Sequence, residues 1–159
     1  MPMPARILAT ALASLVAAGT AHAASLTVGT YGVSSYYISA TGSGGGTCTF
    51  PVGTYLSSEY TYPGPSKSGA VTRSFINSGA GEYVSLLSFP TTPPKGATTW
   101  SGSATTTFLP GGAPSTGTFT SKFTVTDSKS YVAKTTYVFP AGTGSCTSIV
   151  QEVGIWTAK

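Results

Sequence analysis

From residue 25 onward the chain alternates apolar and polar side chains with a period of two, and that rhythm restricts it to extended structure. The stretch TGTFTSKFTVTD shows it best. Phe119, Phe123 and Val125 fall on one face, and Thr118, Thr120, Lys122, Thr124 and Thr126 on the other. DSKS breaks the pattern and YVAKTTYVF resumes it, with Tyr131, Ala133, Tyr137 and Phe139 together. The two stretches predict a hairpin turning over Asp127 to Ser130. Further strands are read in SLTVGTY, VSSYYISA, YLSSEYTY, GAVTRSFI, EYVSLLSF, TTWSGSATTTF and CTSIVQEVGIWT. Between them lie PGPSKSG, NSGAG, PTTPPKG, PGGAPSTG and PAGTGS, dense in residues that turn the chain or stop a ladder. Strong helical spacing is absent. About eight or nine short strands with regular turns predict an all-β fold: an antiparallel β-sandwich, with a closed up-and-down barrel as the alternative.

The first 23 residues stand outside this pattern. Arg6 precedes an apolar run from Ile7 to Ala18, and Ala21-His22-Ala23 closes the segment. That order is expected of a cleaved secretory signal peptide. The apolar run is well short of the ~20 residues that cross a bilayer as a helix, so no membrane span is expected. Residues 24–159 then form one domain, exported to the periplasm or the extracellular space.

Cys48 and Cys146 are the only cysteines. In an exported chain such a pair is expected to form a structural disulfide, because reactive dithiols usually sit close together as Cys-x-x-Cys. With Arg6 removed, the basic residues are Lys67, Arg73, Lys95, Lys122, Lys129, Lys134 and Lys159, scattered singly against four acids. No clustered basic face emerges, so no nucleic-acid partner is expected.

Several chemistries are excluded by composition. The one histidine, His22, lies in the signal. The remaining chain therefore lacks the base of a Ser-His-Asp or Cys-His system and the commonest zinc ligand. Ser-x-x-Lys and Gly-x-Ser-x-Gly are missing as well. Glycosidase chemistry needs two carboxylates across a cleft, and the candidates are Glu59, Glu82, Asp127 and Glu152. Glu59 and Glu152 sit mid-strand among aromatic or aliphatic residues, where burial raises a carboxyl pKa. The simpler reading places both on solvent faces opposite a cation of the next strand. The sequence thus predicts no enzyme, no metal and no cofactor. TGSGGGTCTFP, residues 41–51, is too irregular for a dinucleotide fingerprint and precedes a strand-like CTF rather than a helix. It reads as a flexible glycine turn.

Aromatic residues remain as the source of specificity. Tyr36 and Tyr37 are adjacent, so they point to opposite faces of a strand. Tyr60 and Tyr62 share a face beside the proline-braced PGPSKSG loop. With Trp100 and Trp156 they are the candidate ligand or partner contacts. Sugar hydroxyls are usually fixed by amides or carboxylates, and outside the signal there is only one Asn, one Asp and one Gln. A low-charge, hydroxyl-rich sandwich instead suits an envelope or extracellular interaction subunit that adds strands or self-associates, through ASLTVGTYGV or IVQEVGIWTAK. The alternative function is a binding module for a glycan or small apolar ligand. A closed barrel would make its lumen the site.

Overall fold

The computed structural model describes residues 25–48, 52–78 and 81–158. The N-terminal segment read as a signal lies outside them. Eight strands follow one another: β1 (Gly29–Ser43), β2 (Tyr55–Tyr62), β3 (Ala70–Ser78), β4 (Gly81–Phe89), β5 (Thr99–Leu109), β6 (Ser115–Asp127), β7 (Ser130–Ala141) and β8 (Gly144–Ala158). Each pairs antiparallel with its successor, and β8 returns to β1 to close the sheet. Of the two all-β architectures open to the sequence, the chain takes the closed up-and-down barrel.

The expected hairpin is present, with β6 ending at Asp127 and β7 starting at Ser130. Asp127 holds that turn. Its carboxylate accepts from the Lys129 amide at 2.6 Å and from the Ser130 hydroxyl at 2.7 Å, and these bonds lower its pKa. The segments SLTVGTY and VSSYYISA give one long strand rather than two. A register shift between Tyr37 and Ser39 absorbs the extra residue, so the chain bulges without leaving the ladder. ASLTVGTYGV and IVQEVGIWTAK pair with each other across the β1–β8 seam, from Thr30↔Ala158 to Val33↔Gly154. Neither is left as a free edge.

Alternation sorts side chains between lumen and outer wall. Tyr31, Val33, Tyr60, Tyr62, Phe89, Phe119, Tyr131, Tyr137, Phe139 and Val150 point inward and form the core. One end of the lumen is filled. Tyr31 is fully buried, its ring 5.8 Å from Tyr131 and 6.4 Å from both Tyr60 and Tyr62. Its hydroxyl donates to the Thr27 carbonyl at 2.7 Å, which meets the need of a buried phenol for a partner. Phe89, Trp100 and Phe119 pack edge-on or tilted beside this group, at 4.5 to 5.0 Å. Buried Thr92 ties down the loops over the same end. Its hydroxyl donates to the Gly64 carbonyl at 2.6 Å and accepts from the Lys67 amide at 2.8 Å.

Glycine sets the wall thickness where rings are largest. Gly154 lies opposite Tyr131 in the ladder, and a Cβ there would come 2.1 Å from the Tyr131 ring. Because that ring is fixed among other aromatics, Gly154→Ala is expected to destabilise by about 1–3 kcal/mol through overpacking. Urea unfolding of the variant checks this, with an unchanged midpoint as the contrary result.

Candidate functional site

The other half of the lumen is hollow. A cavity of about 430 Å³ occupies it, within the size range of small-molecule sites. It reaches the surface at exposed Thr47, Phe108 and Pro140. Its walls divide chemically. Tyr37 of β1, Leu56 of β2, and Tyr137 and Phe139 of β7 make an apolar and aromatic side, the last two rings being stacked. Across from them, Ser74, Ser85, Thr106 and Ser115 bring one hydroxyl from each of β3, β4, β5 and β6. Two residues are exceptions to the division: Phe108 stands opposite Ser85 on the hydroxyl side, and Ser148 opposite Tyr137 on the aromatic side. Register aligns that arc, with Ser74 opposite Ser85 and Thr106 opposite Ser115.

The disulfide stands at this end. Cys48 and Cys146 are joined with Cα atoms 5.1 Å apart, and Cys146 lines the cavity. The glycine run beside it is packed rather than slack. Gly44 and Gly45 take positive φ angles of 60° and 82°, and a Cβ on Gly46 would meet the Ser145 carbonyl at 2.5 Å. These glycines let the chain after β1 fold closely onto β8, where the bond forms. The first residue of CTF lies beyond the end of β1, and the other two fall outside the described residues.

Beneath the cavity sits Glu152. It shares the inward phase of Cys146, Ser148 and Val150 on β8. Thr135 donates to its carboxylate at 3.2 Å and also bonds Ser121 at 2.9 Å. Burial raises its pKa to about 7, against a smaller opposing effect of hydrogen bonds from Thr135 and Ser35. The surface it retains opens on an internal void of about 40 Å³, room for little more than water. Its charge acts on the phenols above. Tyr37 rises to about 12 and Tyr137 well above the ordinary range, chiefly through burial and secondarily through Glu152.

The candidate contacts separate into different places. Tyr37 lines the cavity, whereas Tyr36 points outward and packs against exposed Tyr55 at 4.9 Å. Tyr60 and Tyr62 are buried in the filled end, and Trp100 packs on Phe89 and Phe119. Trp156 carries the Lys129 ammonium 4.6 Å above its ring. The carboxylates placed on solvent faces also part. Glu59 is exposed on the outer wall opposite Arg73, while Glu152 faces the lumen, so the two do not converge. A depression of about 510 Å³ on the outside of β6 and β7 is lined chiefly by polar side chains, with Lys122 opposite Lys134. It has no enclosing aromatic wall.

No family model, curated protein or solved structure matches the chain. The barrel's own geometry carries the functional argument.

Proposed function

We propose that the protein is an exported, non-catalytic binding module that holds a small, largely apolar molecule in the hollow half of its barrel. The 430 Å³ lumen cavity walled by Tyr37, Leu56, Tyr137 and Phe139 carries this reading. Among the described residues its lining has no Asn, Asp, Gln or Glu, which favours an apolar guest over a glycan. The signal-like N-terminus and the Cys48–Cys146 bond support export. No helix among the described residues is long and apolar enough to cross a membrane. The outer faces of β5 and β6 are rows of Thr and Ser with Lys122, unlike the apolar band of a lipid-facing barrel.

One observation favours an interaction subunit as a second reading. Val132, Val153 and Ile155 form an outward apolar cluster across β7 and β8, between 38 and 59% exposed. Such a face would meet a partner by side-chain packing rather than strand addition. Native mass spectrometry of gently purified protein separates the readings. A retained small molecule supports the module, and a discrete oligomer or co-purified chain supports the subunit.

The direct test uses the neutral dye N-phenylnaphthylamine. The oxidised protein is expected to enhance its fluorescence saturably, with one site per chain. Ser115→Trp, which fills the cavity from the hydroxyl side, should abolish the signal while keeping a cooperative melt. If the variant binds the dye as well as the parent does, the lumen is not the site.

A further inference from the structure

Resting on the lumen as binding site, we propose that its ligand is an uncharged, ring-bearing molecule with hydroxyl or carbonyl groups along one edge, and that carboxylates are turned away. Two features of the cavity carry this. The first is the split lining. Aromatic side chains of β1 and β7 offer ring faces and edges, against which a flat ring packs offset or edge-on. The opposite arc of Ser74, Ser85, Thr106 and Ser115 offers groups that both donate and accept. Ser85 and Thr106 lie 3.5 Å apart, too far to satisfy one another well. Their capacity is left for an occupant. A ring between these walls would have its faces against carbon and one edge against hydroxyls.

The second feature is charge. Among the described residues no Lys, Arg, Asp or Glu lines the cavity, so a charged guest would lose hydration without gaining a counter-ion there. Glu152 is the carboxyl that faces the lumen among the described residues, and its field reaches the Tyr37 and Tyr137 phenols that wall the site. When ionised, it adds repulsion to the desolvation cost of any anionic guest. The other titratable groups on which it acts are Tyr60 of β2 and Tyr131 of β7, both held protonated by burial. None of these groups offsets the negative charge. An aliphatic or aromatic acid therefore meets two penalties that its alcohol does not.

Displacement of N-phenylnaphthylamine by naphthol and by naphthoate tests the proposal, since the two share a ring system and differ in charge. At about pH 8, naphthol is expected to bind at least about tenfold more tightly, roughly 1.4 kcal/mol. Glu152→Gln should narrow the gap by strengthening naphthoate alone. Naphthoate binding as tightly as naphthol overturns the ligand class and leaves the lumen site standing. A parent protein that does not bind the dye, or a dye signal that survives Ser115→Trp, overturns the site and the ligand class with it. Equal weakening of both probes in Glu152→Gln refutes the role given to its charge.

Discussion

Replacing Cys48 and Cys146 together by serine will lower the melting temperature by roughly 5–15 °C. The bond spans 98 residues, and closing a loop of that size in the unfolded chain corresponds to ~4.7 kcal/mol in the chain-entropy model, of which about 2–4 kcal/mol is commonly realised. Its position adds to the effect. It joins the chain just after β1 to β8, across the ladder that closes the barrel and beside the lumen cavity. Calorimetry with and without reductant, on the parent and the double variant, provides the measurement. Reductant should shift the parent and leave the variant unmoved. A parent that melts at one temperature in both conditions would show that the bond adds nothing to stability.

A second large effect belongs to Glu152. Its pKa is about 4.5 in an ordinary setting and about 7 in the barrel. The folded state therefore holds the proton more tightly than the unfolded state does. Stability from this group is complete below about pH 4.5 and falls as pH rises toward 7. The shift corresponds to at most about 3–4 kcal/mol. Glu152→Gln keeps the side-chain shape without the ionisation. The variant should match the parent near about pH 4.5 and exceed it above about pH 7. Urea midpoints across that range decide the matter through the difference between the two proteins, which cancels the other titrations. A constant difference would mean that the carboxyl does not ionise at the expense of the fold.

The strands were legible because alternation is a local property, and each inward face could be read from the residues themselves. Tyr36 and Tyr37 part across the wall as adjacent strand residues must. Sandwich and barrel were not separable, because period two tells that one face is buried and not what buries it. The answer lay in pairings such as Thr30↔Ala158, between residues with no local relation. Tyr60 and Tyr62 do share a face, but it is the packed end of the lumen rather than a rim. Glu152 had a usable signal. It stands in phase with Cys146, whose side chain must meet its partner, and with Val150. Reading carboxylates as solvent-facing by default concealed it. The hydroxyl arc escaped notice because Ser74, Ser85, Thr106 and Ser115 come from four strands and resemble ordinary polar strand residues.

Seven of the eight ladders join strands that are consecutive in the chain, and only β1 with β8 does not. The hairpins can each form early, from short loops. The seam cannot, since it must unite the two ends of the sheet and is also its longest ladder. Non-local pairing of this kind governs the speed of folding. The disulfide spans that seam, so an oxidised chain begins its search with the slowest contact already tethered. A reduced one must find it by diffusion, with its apolar lumen side chains open to solvent and to other chains meanwhile.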